Sequence, residues 1–387
     1  MKKIGLVCAT LNNYGSLLQT YALQAKVEEF GLTPEIIRFQ EPTFARILRL
    51  RNGELFMVAL KKIFLRKFIG LKHKGLNYKL AQRAEAFNQF KRDNLLQFVV
   101  CKSRAQLTEN SRNYPLVLLG SDQLWHPMNL KMDFFTLSFV PEGVTRAAYA
   151  ASFGVSVIPS RIRNNYKAYL EKFDYISCRE KSGAKIVKDL TGKTVPVVCD
   201  PAVLMTAEEW NPMLSDKVKP EGKYIFCYFL GNNPQQREYV KELKALLNCK
   251  IVALPHLVEY VDSDEGYADM IPYNVGPSEF MYLIKNAEFV CTDSFHASVF
   301  SLQFHKQFLV FDRFENGKGN STTSRIETLL GVVNHPERLI RRTDEALKCI
   351  KDLEVMDYSN VDKQLGEFRK ASSEYLNTIL SSIEAHE

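Results

Sequence analysis

Short apolar runs separated by helix-spaced stretches constrain this chain more than any other feature. The runs in the first half are Lys3–Ala9, Glu35–Phe39, Leu116–Leu119, Thr145–Ala150, Tyr175–Cys178 and Val195–Cys199. Those in the second half are Tyr224–Phe229, Lys250–Ala253, Phe289–Thr292 and Phe308–Phe311. Each has the length of a strand, and their near-continuous apolar character suits strands covered on both faces. Helical stretches lie between them, at Ser16–Phe30, Gln82–Leu96, Ser160–Lys172, Lys181–Leu190, Pro234–Leu247, Ser278–Lys285 and Ser324–Leu330. Alternation of this kind predicts parallel sheets wrapped by helices. The 387 residues suffice for two domains at about 100–200 residues each. The Pro- and charge-rich region Asp200–Gly222 is the expected hinge, dividing a domain over 1–205 from one over 206–361. A last helical segment, Asp362–Ile383 within 362–387, has no strand partner and is expected to pack back across the first domain.

The runs end in polar residues. Val290–Phe300 reads VCTDSFHASVF, placing Thr292, Asp293, Ser294 and His296 directly after an apolar strand. In the same way KKIGLVCAT leads to Asn12, Asn13, Tyr14 and Gly15, and PLVLLG leads to Ser121, Asp122 and Gln123. TRAAYAA leads to Ser152, FDYISC to Arg179 and Glu180, YIFCYFLG to Asn232 and Asn233, and KIVALP to His256. Buried polar atoms cost about 1–3 kcal/mol each when unpartnered. In open α/β sheets, ligands bind in the crevice beyond the carboxyl ends of the strands. The repetition therefore places Ser294 and His296 where a strand opens into an interdomain cleft. A structural hydrogen-bonding role for a single such histidine is the competing reading.

Composition is that of a globular chain, 46% hydrophobic and 25% charged, without the low-hydrophobicity signature of disorder. No stretch approaches the roughly 18–20 apolar residues of a membrane span. The start, MKKIGLVCATLNNYG, turns polar too soon for a secretory signal and reads as a first strand of a cytoplasmic protein. None of the eight cysteines forms a C-x-x-C pair, so zinc is not expected, and buried reduced thiols suit a reducing compartment. The net charge is +7, but residues 46–74 alone carry nine Lys or Arg against one acid. Nucleic acid is a poor partner for a charge so localised. The same window places Phe56, Leu60, Phe64, Phe68 and Leu71 at helical spacing, predicting a basic helical insert over 44–75. Such a helix either lies on an anionic membrane surface or packs on its own domain with a solvated basic face.

Several segments, in order along nearly the whole chain, resemble the polysaccharide pyruvyl transferase family. They are NYGSLLQTYALQ (13–24), LLGSDQLW (118–125), AAYAASFG (147–154), ISCREKSGAKIV (176–187), DPAVLMTAEEW (200–210), VGPSEFMYLIKNAEFVCTDSFHASVFSLQFHKQF (275–308) and SRIETLLG (324–331). The resemblance implies an α/β fold similar to GT-B glycosyltransferases, with two Rossmann-like domains facing across a cleft and a C-terminal helix crossing back to the first domain. It implies transfer of the carboxyethylidene group of phosphoenolpyruvate to two hydroxyls of a sugar, giving a cyclic ketal and phosphate. The scheme needs no metal or cofactor; phosphoenolpyruvate is a co-substrate. The acceptor implied is a sugar of a bacterial surface polysaccharide or its precursor, including one linked to undecaprenyl diphosphate. The enzyme would then be cytoplasmic, or peripheral on the inner face of the cytoplasmic membrane.

A donor carrying phosphate and carboxylate calls for cations, and the planar fork of Arg suits both groups. His296 matches the family's histidine and is expected as the acid–base group or a phosphate ligand, with Asp122 as a base for a sugar hydroxyl. Many members carry Arg two residues before that histidine, where this chain has Ser294. The donor site is therefore expected to combine Ser294 with Arg179, Arg325 and Lys318. For Arg179 an ion pair with Glu180 or Asp174 is the alternative. Asn13, Tyr14, Gly15, Ser121 and Gln123 are expected on the acceptor side. Trp125 suits either a sugar ring or the core. The rival functions are a GT-B glycosyltransferase using a nucleotide sugar and a non-catalytic carbohydrate-binding protein.

Overall fold

The structure, a computed structural model, describes residues 2–40, 75–95, 98–129, 133–256, 261–313, 323–343, 346 and 354–383. Six strands form the first sheet: β1 (Lys3–Val7), β2 (Thr33–Phe39), β3 (Phe98–Cys101), β4 (Leu116–Leu119), β5 (Thr145–Ala151) and β6 (Tyr175–Cys178). Their order is β3-β2-β1-β4-β5-β6, parallel throughout. Five strands form the second: β7 (Tyr224–Tyr228), β8 (Lys250–Leu254), β9 (Phe289–Thr292), β10 (Gln307–Phe311) and β11 (Leu339–Ile340). These run β11-β10-β9-β7-β8, also parallel. Both sheets begin inside and wind outward in two directions. Each thus has one switch point, β1/β4 in the first and β7/β9 in the second, where neighbouring connections diverge and leave a crevice.

The strands form as their composition predicts. All four residues of β4 and all five of β7 are buried, so helices cover both faces of each sheet. The domains share one apolar cluster. Tyr14, at the start of the helix Tyr14–Glu29, stacks on Phe280 of the second domain at 4.5 Å and donates to the Val275 carbonyl. Trp210 packs against Tyr21 of the first domain at 5.8 Å and edge-on against Phe300 of the second at 5.3 Å. Burial of such side chains contributes about 1.5–3 kcal/mol each, and here it holds the two domains together. The helix Tyr358–Ser381 crosses back: Tyr358 donates to the Ser301 carbonyl, Arg369 Nε to Val203, and Tyr375 to Ile176 at the end of the first sheet.

The structure departs from expectation at the sheet margins. The strands β3 and β11 were not foreseen, for only Cys101 of β3 is buried and β11 has two residues. Val195–Cys199 is not a strand; it touches β6 only through the isolated bridge between Cys178 and Val197. Pro196 within it has no N–H to offer a ladder. The expected hinge carries two short helices, Pro201–Leu204 and Ala207–Trp210, with Pro201, Ala202, Val203, Leu204 and Trp210 buried. The basic insert, apart from Gly75, lies outside the described residues, as does Lys318.

Candidate active site

The carboxyl ends of both sheets meet at the two switch points, and the site is built there. After β1, the Asn13 side chain accepts from Ser16 N at 3.1 Å and caps the helix Tyr14–Glu29. That cap fixes Gly15 in the first turn, where the backbone meets His296. A Cβ on residue 15 would lie 1.9 Å from His296 Nδ1, so only glycine fits. Ser16 Oγ donates to Asp122 Oδ2 at 2.6 Å. Asp122 follows β4 with φ +84°, a conformation uncommon outside glycine. Its Oδ1 accepts from Gln123 N at 2.8 Å, the local bond that lets Asp tolerate such a backbone.

The second domain explains the polar run after β9 residue by residue. Thr292 Oγ1 donates to the Tyr228 carbonyl at 2.5 Å. The two carboxylate oxygens of Asp293 accept from Leu230 N and Gly231 N, each at 2.7 Å, and Arg313 Nε approaches Oδ2 at 3.3 Å. Ser294 is the N-cap of the helix Phe295–Gln303, its hydroxyl accepting from Ala297 N at 3.4 Å. Structure therefore engages Thr292, Asp293 and Ser294. His296 remains, 7% exposed, with Nε2 lacking a hydrogen-bond partner among the described residues.

Asp200 joins the two halves. It caps Pro201–Leu204, Oδ1 accepting from Ala202 N at 3.0 Å. Oδ2 takes Arg179 Nη1 at 2.6 Å, lies 2.9 Å from Ser121 Oγ, and faces His296 Nε2 at 3.6 Å. Burial alone would raise this carboxyl; His296 and Arg179 override it and hold the group well below the usual carboxylate range. Asp122 shows the same balance, with Arg179 and His296 outweighing its burial and lowering its pKa.

Arg179, just after β6, is 2% exposed and pairs with Asp200 and, at 3.6 Å, with Asp122, not with Glu180 or Asp174. Its guanidinium lies 4.5 Å from the centre of the Phe295 ring. Arg325, on the helix Ser324–Val332, approaches the same ring at 5.7 Å. Arg325 makes no ion pair among the described residues, and its buried Nε has no partner. Burial, then the charge of Arg179, pushes its pKa down to about 9. A small cavity lies between these cations, lined by Arg179, Asp200, Phe295, Arg325, Thr328 and Phe368. Glu180 is buried beside it. Its Oε1 accepts from Ser152 Oγ and Phe153 N at 3.0 and 3.1 Å, while Oε2 has no hydrogen-bond partner among the described residues and burial raises its pKa.

The structure thus brings Gly15, Ser121, Asp122, Arg179, His296 and Arg325 together. Tyr14 is fully buried in the interdomain aromatic cluster, and Asn13 and Ser294 act as helix caps. Gln123 packs against Gly154, its Nε2 buried and unpartnered. Trp125 belongs to the core, packed on Phe153, Tyr169 and Phe173. Sequence reasoning missed Asp200, although Asp before Pro at a helix start is a capping signal.

Two facing Rossmann-like domains with a histidine, two arginines and two carboxylates at the junction define a GT-B-like protein with a charged interdomain site. The chain belongs to the polysaccharide pyruvyl transferase family, whose sequence model matches residues 13–315. Among solved structures it is similar to a putative UDP-N-acetylglucosamine 2-epimerase from Listeria monocytogenes (12% identity, TM-score 0.54, covering 100% of this chain and 96% of that one). It is also similar to the Methanocaldococcus jannaschii UDP-GlcNAc 2-epimerase in complex with UDP-GlcNAc and UDP (14% identity, TM-score 0.53, covering 99% and 100%). At these identities the likeness concerns the fold. No curated protein matches the chain.

Proposed function

We propose that this protein transfers the carboxyethylidene group of phosphoenolpyruvate to two hydroxyls of one sugar, forming a cyclic pyruvate ketal and releasing phosphate. The observation that carries the reading is the pair of guanidiniums, Arg179 and Arg325, flanking Phe295 next to His296. Arg179 is balanced by Asp200, so Arg325 supplies the uncompensated charge that a phosphate or carboxylate would meet. It takes the place of the arginine that Ser294 leaves out. His296, as general acid, protonates the methylene carbon and makes C2 electrophilic. A sugar hydroxyl attacks C2 and gives its proton to Asp122, which Ser16 orients. Loss of phosphate from C2 and attack by the second hydroxyl close the ketal, the second proton leaving with phosphate. The scheme uses no metal and no cofactor.

The acceptor in this reading is a sugar of a surface polysaccharide or its undecaprenyl-diphosphate-linked precursor. No helix among the described residues is long and apolar enough to cross a membrane. Residues 46–74 would hold the protein at an anionic bilayer, and flotation with acidic liposomes should weaken when Lys61, Lys62, Arg66 and Lys67 are neutralised.

The decisive experiment measures phosphate release from phosphoenolpyruvate with galactose-, mannose- and glucuronate-type acceptors, free and lipid-linked. Acceptor-dependent release, lost in His296→Ala with the fold intact, supports the reading. Turnover of a nucleotide sugar, or saturable binding of UDP or GDP but not phosphoenolpyruvate, would replace it with glycosyl transfer.

A further inference from the structure

A second group of unsatisfied donors lies around Tyr14, which packs on Phe87, one helical turn from Arg83, at 4.8 Å and on Tyr228 at 5.4 Å. Arg83, on the helix Leu76–Asn94 of the first domain, is 3% exposed. Its Nη1 donates to the carbonyls of Pro255 and His256, just after β8 in the second domain, at 3.0 and 3.1 Å. Its guanidinium lies over the Tyr273 ring at 5.3 Å, and its buried Nε and Nη2 have no hydrogen-bond partner among the described residues. A buried donor left so is unfavourable, and a latch on two carbonyls does not account for it. Tyr228, the last residue of β7, is 2% exposed and its hydroxyl also has no hydrogen-bond partner among the described residues. Burial raises the pKa of that hydroxyl and keeps it a donor, with Arg83 within electrostatic reach. His256, 8% exposed, flanks the group. Its Nδ1 lies 2.6 Å from Asp264, which also takes Arg237 Nη2 at 2.7 Å. His256 Nε2 makes no hydrogen bond among the described residues.

The group adjoins the reaction centre. Tyr228 pairs in register with Thr292, at the β7/β9 switch point. Tyr14 packs edge-on against the Tyr228 ring at 5.4 Å, while the next residue, Gly15, faces His296. The guanidinium N–H groups can only donate and the phenol can turn its O–H to donate beside them, so an oxyanion is a ligand that satisfies the set.

We propose that Arg83 and Tyr228, flanked by His256, form a second oxyanion subsite that holds a phosphate or carboxylate of the sugar acceptor while the donor occupies Arg179 and Arg325. The proposal rests on the pyruvyl-transfer reading only for which molecule carries the oxyanion.

Calorimetric titration of inorganic pyrophosphate and of glucuronate into the full chain tests it, in wild type, Arg83→Gln, Tyr228→Phe and Arg179→Gln. At least one probe should bind wild type, and which one separates a diphosphate-bearing acceptor from a uronate. Its affinity should fall about tenfold or more in Arg83→Gln and several-fold in Tyr228→Phe, and stay within about twofold in Arg179→Gln. Phosphoenolpyruvate should show the reverse pattern. Failure of both probes to bind wild type, or binding lost in Arg179→Gln but kept in Arg83→Gln, overturns the subsite. Where Arg83→Gln does not fold, Tyr228→Phe decides, because its hydroxyl has no partner to lose. A probe that binds through Arg83 while phosphoenolpyruvate binds nowhere would remove the donor assignment and leave the subsite standing.

Discussion

Arg179 and His296, carried by different domains, converge on a single oxygen: Asp200 Oδ2 lies 2.6 Å from Arg179 Nη1 and 3.6 Å from His296 Nε2. The carboxylate is fully buried, so the pair it makes with Arg179 is poorly screened and removing one partner strands the other. Asp200→Asn preserves the helix cap, since Asn caps as well as Asp, and removes only the charge. It should destabilise the protein by about 3–5 kcal/mol, read from urea unfolding. A loss below about 1 kcal/mol would show that Asp122 balances Arg179 alone.

Gly15 determines where the imidazole can sit. An alanine there would put its methyl 1.9 Å from His296 Nδ1, inside any van der Waals contact. Helix propensity favours alanine over glycine and offsets part of the about 1–3 kcal/mol that overpacking costs, so Gly15→Ala should fold with a lowered melting temperature. It should displace the ring, and misplacement of a catalytic group by about 1 Å lowers turnover about 100-fold. Phosphate-release kinetics check this; wild-type turnover would place the reacting group elsewhere.

The two-sheet architecture was legible because both sheets are parallel and covered, so each inner strand reads as a plain apolar run. Edge strands lack that signal: β3 buries Cys101 alone, and β11 is two residues long. Strand ends led to Asp122, Arg179 and His296, which the fold brings around Asp200, because in each case the polar residue follows an apolar run closely. The same logic misjudged Tyr14, whose ring is fully buried against Phe280. Local sequence does not reveal which partner domain covers a loop. Asp200 escaped for a related reason. The Pro-rich stretch after it resembles a linker, and only the fold shows that Asp200 meets Arg179, Ser121 and His296.

Arg325 holds a positive charge in a buried place with no carboxylate of its own among the described residues. Burial lowers its pKa to about 9, so at neutral pH the cation persists at a cost to the folded state. Arg325→Met should therefore raise the melting temperature of the ligand-free protein. Phosphoenolpyruvate at about 100 times its Kd should stabilise wild type by about 2.7 kcal/mol and leave the variant nearly unmoved. Thermal melts with and without the ligand test both halves; an equal ligand shift in the two proteins would detach Arg325 from the donor.

Glu180 gives a pH signature of opposite sign to those of Asp122 and Asp200. Its folded pKa is raised, chiefly by burial, above the unfolded value of about 4.3. Below that pH the side chain is protonated in both states and imposes no penalty. As pH rises the unfolded chain releases the proton first, so stability declines until the folded-state pKa is passed. The lowered pKa values of Asp122 and Asp200 act the other way, adding stability that disappears as pH falls below the ordinary carboxylate range. Glu180→Gln keeps an acceptor for Ser152 Oγ and Phe153 N and cannot ionise. The variant should match wild type near pH 4 and exceed it at pH 7–8, measured as urea midpoints across that range. A difference that stays constant with pH would mean that Glu180 does not titrate between the two states.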